Sequence, residues 1–344
     1  MFLMMRSAAG SFAHIQAFVI ALVIPYLRRD GWHVFGFRPD GRRLIRGIDP
    51  IIQFTPYIMP TRADAQNFCR QTLEYDVLAD YIKSAHEKGH NLTFMSIVIA
   101  AFVRTVSQCP ELNRFIMNKQ IYARNRISVS FVVLRRKADD SIMESLAKVE
   151  FEATDTIFDV GRKIEEAVGQ GREDKNTNLT DMFARTLLAI PGLATVVVGL
   201  VKLLDRYGLM PGIVYKASPF HTSMFITNMA SINMTYLYHH LYNFGTTSIF
   251  LGLGKIEKAL KPSGGGKIGY KNQMPIGVVT DERICGGAGY ARAFSVMQKY
   301  FRDPSLMEVP PENVNFETEP IYLRKARKAK EKAEKKAVKI AKAG

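Results

Sequence analysis

The feature that most constrains the fold of this chain is the segment VVTDERICGGAGYARAF at residues 278–294. An apolar run leads directly into Asp281, Glu282 and Arg283, and a cluster of glycines and an amphipathic stretch follow. This order predicts a strand, a tight turn and a helix. It places Glu282 at the mouth of the turn, where a carboxylate could either stabilise the turn or take part in chemistry.

Strand and helix patterns are mixed along the rest of the chain. Alternating or β-branched runs predict strands at 67–75, 127–136, 222–228, 246–256 and 274–281. Helices are predicted at 76–88 with Asp76 as N-cap, at 92–108, at 155–168 and at 183–207 with a kink at 191–192. The glycine-rich loop at 261–267 lacks the frame of a phosphate-binding loop and is interpreted as a hairpin turn. The pattern predicts an α+β fold.

Composition limits the class of protein. A chain of 344 residues, 47% hydrophobic and 23% charged, can bury a sizeable core as one large domain or two smaller ones. Its three cysteines, Cys69, Cys109 and Cys285, are far apart and form no CxxC pair. This spacing excludes a disulfide scaffold and fits a reducing compartment, so we expect a cytoplasmic protein with no metal site.

The net charge of +15 is concentrated at one end of the chain. Residues 321–344 hold ten Lys or Arg and two Glu, which supply +8 of that charge. The remaining charge is spread thinly, without the interleaved arginines and aromatics of a nucleic-acid groove reader. We expect the tail to be a solvated extension that is flexible or helical, with contact to RNA, an anionic membrane or an acidic partner as alternatives.

The apolar run AFVIALVIPYL at 17–27 is too short to span a bilayer. It is interpreted as a packed or surface-lying helix, with a start outside the fold or a membrane anchor as alternatives. The domain prediction is an apolar N-terminal segment at 1–30, an extended arm at 31–64 rich in Gly, Pro and Arg, a catalytic-type domain at 65–308 and the basic tail at 309–344.

Five segments carry a resemblance to a known family. In order they are CPELNRFI (109–116), ISVSFVV (127–133), FITNMASI (225–232), SIFLGLGKIEK (248–258) and the stretch from VVTDERICGGAGYARAF to YFRDPSLM (278–307). Together they resemble the chloramphenicol acetyltransferase superfamily, and within it the catalytic domain of the dihydrolipoamide acyltransferases of 2-oxo-acid dehydrogenase complexes. The chain is similar to a stand-alone variant with Glu in place of the motif His.

The resemblance implies a two-layer fold with a mixed β-sheet that forms a homotrimer. It also implies an active site in a channel between subunits, which coenzyme A enters from one side and the acyl acceptor from the other. We expect coenzyme A or acyl-CoA as a substrate and no lipoyl-attachment domain in this chain. A lipoylated partner chain would then supply the swinging arm.

The family motif reads Asp-His-Arg-x-x-Asp-Gly-Ala, and its His is the general base. Carried over, Asp281 and Arg283 match, the base falls on Glu282, and the second acid falls on Gly286. The Ser or Thr that stabilises the oxyanion in the family falls on Thr227. The alternative is that Glu282 only holds the turn and that Thr227 is only a packed strand residue.

Elementary acid–base chemistry limits Glu282 as a base. Proton transfer from a thiol of pKa about 8.5 to a free Glu is uphill by roughly 5.7 kcal/mol, against about 2.7 kcal/mol for a His. The difference is worth more than about a hundredfold in rate. Burial raises the pKa of a carboxyl group and can close this gap. Glu282 can therefore act as a base only where it is shut away from water.

Three histidines are substitutes. His239 and His240 lie in a segment that the resemblance brings towards the acyl channel, and neighbouring residues of a strand would face opposite ways, so at most one points inward. His240 is taken as a third candidate catalytic residue, and His221 as a weaker one. The apolar insertion at 186–204 is interpreted as core or trimer packing, with a lid or acyl-chain pocket as the alternative.

Two functions follow from these patterns. The first is an acyltransferase that moves an acyl group between coenzyme A and a thiol or hydroxyl acceptor, with Glu282 as base and Thr227 as oxyanion donor. The second is a catalytically inactive oligomer that keeps the fold as a scaffold or an acyl-CoA-binding module. Peripheral membrane contact through the N-terminal segment or the basic tail is compatible with both.

Overall fold

The structure is a computed structural model that describes residues 38–44, 47–136, 142–173, 188–262 and 268–317. The apolar segment at 1–30 and the tail from residue 318 lie outside the described residues. The strands are β1 (Gly41–Arg43), β2 (Gln66–Glu74), β3 (Arg114–Met117), β4 (Gln120–Arg124), β5 (Ile127–Arg136), β6 (Ile142–Phe151), β7 (Met224–Asn228), β8 (Ile249–Leu253), β9 (Glu257–Pro262) and β10 (Ile268–Asp281). The helices are α1 (Pro50–Ile58), α2 (Tyr75–Glu87), α3 (Phe94–Gln108), α4 (Ile157–Glu173), α5 (Leu193–Arg206), α6 (Gly212–Ala217) and α7 (Gly287–Arg302).

A seven-stranded sheet organises these elements. Its order is β2-β10-β8-β7-β5-β6, and β9 pairs with β10. The central strand β7 runs parallel to β5 and β8, whereas the other pairs are antiparallel. The sheet is therefore mixed, and the predicted α+β fold class with a mixed β-sheet is confirmed. A second sheet of three short strands has the order β1-β4-β3.

Helices cover one face of the large sheet. The sequence of α3 is apolar on almost every side, and twelve of its fifteen residues are buried, as predicted for a central helix. Its first turn is fixed by a capping box in which the hydroxyls of Thr93 and Ser96 each accept a backbone N–H of the other residue. The main hydrophobic core joins α3 and α7 to the inward-facing residues of the strands, such as Val129, Ile276 and Val278.

The other face of the sheet is covered by a chain segment without helix or strand. This segment, residues 234–248, is called the strap. A Cβ on Gly252 would come within 2.8 Å of the carbonyl oxygen of Leu237, and one on Gly277 would come closer still. Only glycine allows the strap to lie directly on β8 and β10. A small apolar cluster of Phe225, Leu241, Phe250 and Val279 fills the space between them.

The predicted extended arm at 31–64 is wrong for its second half, where α1 begins at Pro50. Asp49 caps α1 by accepting the amide N–H of Ile51 at 2.8 Å, and Pro50 occupies the first turn, where its missing N–H costs nothing. The prediction took the Gly, Pro and Arg content of this segment as typical of an extended arm, whereas Pro50 starts a helix.

Strand bounds near the C-terminus also differ from the prediction. The run predicted as one strand at 246–256 contains only β8, and its first residues belong to the strap. The last strand is longer than predicted, since β10 begins at Ile268 and pairs with β9 as a hairpin. Of the predicted turn at 261–267, residues 261–262 belong to β9, and residues 263–267 lie outside the described residues.

Helix α5 covers part of the predicted helix at 183–207, and residues 174–187 lie outside the described residues. Gly192, with φ of 82°, separates it from the turn at Pro191, as the predicted kink required. Asp205 is the only buried residue of α5, and Val196 and Leu200 expose 68% and 54% of their surface. The interpretation of the apolar insertion at 186–204 as part of the chain's own core is therefore wrong. None of the described helices is long and apolar enough to cross a bilayer.

Candidate functional site

The Asp-Glu-Arg motif begins at Asp281, the last residue of β10, and its first and third residues point inward. The carboxylate of Asp281 is fully buried and accepts two hydrogen bonds from the guanidinium of Arg283, at 2.8 and 2.7 Å. A second cation, Arg62, brings Nε to 4.0 Å from the same carboxylate. The guanidinium of Arg283 also donates to the carbonyl of Met59 at 3.0 Å. This bidentate pair fixes the turn, so Asp281 and Arg283 are structural.

Glu282 lies between these two inward residues, and its side chain is exposed in the single chain. Its amide N–H donates to the carbonyl of Ala65 at 2.8 Å. Its carboxylate makes no hydrogen bond or ion pair with any residue that the structure describes. The burial that a carboxylate base needs is not supplied by the chain itself, so the role of Glu282 stays a prediction that requires a neighbouring surface.

Thr227 is the fourth residue of β7, where it pairs with Gly252 of β8. It lies two residues after Phe225 and therefore shares its face of the sheet, the face covered by the strap. Its Oγ1 is buried and has no hydrogen-bond partner among the described residues. A buried hydroxyl without a partner is unusual in native proteins, where buried polar groups are nearly always hydrogen-bonded.

The register of the sheet separates Thr227 from Glu282. Thr227 is opposite Gly252 of β8, whereas the amide N–H of Asp281 donates to the carbonyl of Ser248, the last residue of the strap, four residues before Gly252. Thr227 and the motif turn are therefore separated by four residues along the strands and by two strand spacings, which together amount to roughly 16 Å. The two predicted catalytic residues do not meet within one chain. A site that uses both must combine them from two copies.

The predicted strand placement of His239 and His240 is wrong, because both lie in the strap. The ring of His239 stacks on Phe250 with centroids 4.2 Å apart, and burial lowers the pKa of this histidine. His240 is exposed, and its ring lies 5.1 Å from that of Tyr242. The next residue, Leu241, donates its amide N–H to Gln66, which pairs with Asp281. The strap therefore brings His240 to the end of the sheet that carries the motif turn.

His221 lies in a buried polar cluster that the sequence did not predict. Its Nδ1 is 2.7 Å from the hydroxyl of Ser218, and its Nε2 is 3.1 Å from the carboxylate of Asp205. Arg38 donates to the same carboxylate at 2.9 Å. Burial lowers the pKa of His221 and so favours its neutral form. Arg38 and Asp205 are 167 residues apart, so no local pattern reveals this cluster.

Gly286 is the N-cap of α7, at the position where the family motif has its second acid. A Cβ at this position would meet no atom within 4 Å, and the backbone has an ordinary φ of −69°. The space for an acidic side chain is present although the side chain is missing. The glycine is therefore not imposed by packing.

Other reactive groups do not add to the site. The described residues contain no cluster of His, Cys, Asp or Glu suited to a metal ion. Burial raises the pKa of Cys285 to about 12, so this thiol is protonated at neutral pH and is a poor nucleophile.

No protein-family model matches the sequence, and no curated protein matches it. Solved structures do. A dihydrolipoamide acetyltransferase of Azotobacter vinelandii is 12% identical with a TM-score of 0.47, and the match covers 77% of this chain and 94% of that one. The catalytic core of a 2-oxoacid dehydrogenase complex of Thermoplasma acidophilum is 14% identical with a TM-score of 0.46, over 76% and 99% of the two chains.

A chloramphenicol acetyltransferase matches at 12% identity with a TM-score of 0.44, over 76% of this chain and 99% of that one. The cubic core of a pyruvate dehydrogenase complex is also among the similar structures. These structural neighbours are the acyltransferase cores that the sequence motifs resemble. At such low identity the similarity concerns the fold alone.

Proposed function

We propose that the chain is an acyltransferase that moves an acyl group between coenzyme A and a thiol or hydroxyl acceptor. The observation that carries the proposal is Thr227, whose buried hydroxyl is left without a partner on the strap face of the sheet. Such a donor is available for the negative charge that develops on the carbonyl oxygen of an acyl group during transfer.

Glu282 is the proposed base. It takes the proton of the attacking thiol or hydroxyl, which requires a neighbouring protomer to cover its exposed carboxylate and raise its pKa. The separation of roughly 16 Å between the two residues within a chain favours a site assembled from Glu282 of one copy and Thr227 of another. His240, at the same end of the sheet as the motif turn, is the proposed substitute base.

The same proposal includes the assembly. A homotrimer, as the resemblance implies, brings the two halves of the site together around a closed ring of identical interfaces. A separate lipoylated chain is the proposed acyl carrier if the protein works with a dehydrogenase complex. A cytoplasmic location is proposed, with peripheral membrane contact through the segment 1–30 or the basic tail.

The second candidate is an inactive oligomer that serves as a scaffold or an acyl-CoA-binding module. Two observations favour it. Glu282 is exposed in its own chain, and Gly286 leaves empty the place of the second acid of the motif. Both departures affect the residues on which the chemistry of the family depends, while the fold is retained.

The proposal is tested by incubating the protein with a panel of acyl-CoA thioesters and with thiol and hydroxyl acceptors. The release of free coenzyme A measures turnover. We expect Glu282→Gln and Thr227→Val each to reduce turnover by about a hundredfold. Glu312→Gln, at another exposed carboxylate, is the matched control and should leave turnover unchanged.

Acyl-CoA binding without turnover would favour the binding module. If no thioester is bound or turned over, the acyltransferase and the acyl-CoA-binding module are both removed, and only the scaffold remains. Glu282→His restores the base of the family motif, and an active site limited by its carboxylate should gain activity from this change.

A further inference from the structure

A cleft of about 500 Å³ opens between α5, the β3–β4 turn and the loops before β2 and before β8. Five of the residues that line it are cationic: Arg62, Lys119, Lys202, Arg206 and Arg283. Among the described residues of the lining, the only acidic one is Asp205. A cleft of this volume suits a small molecule, and its charge suits an anion.

The nearby carboxylates are already engaged. Asp205 accepts a hydrogen bond from Arg38 at 2.9 Å and lies 3.1 Å from His221, both outside the cleft. Asp281 accepts the guanidinium of Arg283. The exposed side chains of Lys202 and Arg206 have no acidic partner within the part of the chain that the structure describes. The cationic charge of the cleft is therefore not balanced from within.

The wall of the cleft also contains a buried cation, Arg62, whose side chain is 5% exposed. Its terminal nitrogens donate to three backbone carbonyls, among them that of Ile116 at 3.0 Å. Its Nε is buried and has no hydrogen-bond acceptor in the described residues. The pKa of Arg62 is lowered to about 10, chiefly because the side chain is buried; Asp281 opposes this shift and the charge of Arg283 adds to it. An anion in the cleft would relieve this excess of positive charge.

The exposed cations are held in place by the fold. Lys202 and Arg206 lie one turn apart on α5, and Asp205 anchors that end of the helix to the protein body. Lys119 lies in the β3–β4 turn with φ of 59°, and its Nζ lies 5.4 Å from the ring centre of Tyr57. Three cations presented around one cleft from two separate elements differ from charges scattered on a solvated surface.

We propose that this cleft binds a small phosphorylated molecule, with Lys119, Lys202 and Arg206 contacting the phosphate oxygens and Arg62 and Arg283 supplying positive charge from the wall. Lys and Arg are the residues that proteins use to bind phosphate. The negative charge of a ligand with two phosphates suits the three cations Lys119, Lys202 and Arg206. The site does not depend on acyl transfer. The phosphates could be those of a coenzyme A-type nucleotide or those of a separate effector.

Calorimetric titration of the full chain with inorganic diphosphate, at low ionic strength and without any thioester, tests the site. We expect saturable binding that weakens at least about tenfold in Lys202→Gln/Arg206→Gln, which corresponds to about 1.4 kcal/mol. The control Lys258→Gln/Lys271→Gln removes the same charge from the exposed β9–β10 hairpin and should bind as the wild type does. Circular dichroism melts establish that both variants are folded.

Absence of binding by the wild type would overturn the proposal. So would equal weakening in both double variants, which would indicate non-specific charge attraction, or unchanged binding in Lys202→Gln/Arg206→Gln. Adenosine 3′,5′-bisphosphate in the same cell distinguishes the sources. If the bisphosphate displaces diphosphate, the site is assigned to a coenzyme A-type nucleotide. If it does not, the site is assigned to a separate effector. Because no acyl transfer is measured, failure here leaves the proposed activity untouched.

Discussion

The large sheet and helix α5 are built on opposite principles. In the sheet, the side chains of Val278 and Ile276 are at most 2% exposed, and the opposite face is sealed by the strap. In α5, apolar residues such as Val196 and Leu200 are more than half exposed, and the helix is held by the buried charge of Asp205. Hydrophobic packing thus fixes one region, and a polar anchor fixes the other.

This difference suggests separate tasks. A region packed on both faces can hold Thr227 and the motif turn in constant positions. Helix α5 presents apolar surface to whatever lies outside its own chain, which for a soluble monomer is unfavourable. Trimer packing, or a lid or acyl-chain pocket, would cover that surface; these are the interpretations of the insertion that remain once core packing is excluded.

The largest expected effect tests the rigid region at its buried ion pair. Arg283→Met leaves the carboxylate of Asp281 buried without its bidentate partner, and we expect a loss of about 3–5 kcal/mol in the free energy of unfolding. Urea denaturation measures it. Arg302→Met, at an exposed position of α7, is the control and should cost little. A small loss at Arg283 would mean that Arg62 alone can compensate Asp281.

A smaller effect tests the contact between the sheet and the strap. Gly277→Ala places a methyl group against the carbonyl of Leu237, and overpacking of this kind costs about 1–3 kcal/mol. Gly287→Ala, where a Cβ meets nothing within 4 Å, should be neutral or slightly stabilising in thermal melts. Equal stability of the two variants would show that the strap is loosely held.

The anchor of α5 is tested by Asp205→Asn. The asparagine keeps an acceptor for Arg38 but loses the charge, so we expect a global loss of only about 1 kcal/mol. Hydrogen exchange should be faster at the amides of α5 and unchanged in β8 and β10, because local opening follows local stability. Uniform acceleration across the sheet would contradict the separation of the two regions.

The smallest expected effect comes from a Val→Thr substitution in α5, which is compared with the same substitution in the sheet. Val196→Thr in α5 should change the free energy of unfolding by less than about 0.5 kcal/mol. Val278→Thr buries a hydroxyl in the core and should cost about 1–3 kcal/mol. If Val196→Thr is as costly as Val278→Thr, the exposed face of α5 is covered in solution by another surface, such as a second copy.

The predicted elements with long, regular patterns are those that the structure confirms best. The apolar run of α3 and the alternating run of β5 specify their own conformation, since their periodicity and caps are local. Shorter or irregular stretches were less predictable. The strap has strand-like composition but no strand, because its position is decided by Gly252 and Gly277 on other elements.

The candidate site divides in the same way. The sequence by itself determined the strand–turn–helix motif with Glu282 in its turn and Gly286 in place of the second acid, and it determined the strand that carries Thr227, because each is a matter of local order along the chain. Only the tertiary structure decided that Asp281 and Arg283 turn inward and Glu282 outward, and that Thr227 keeps a free buried hydroxyl. The same holds for the cleft, whose cations come from distant parts of the chain. Burial and charge balance depend on neighbours far away in sequence, and folding alone brings these together.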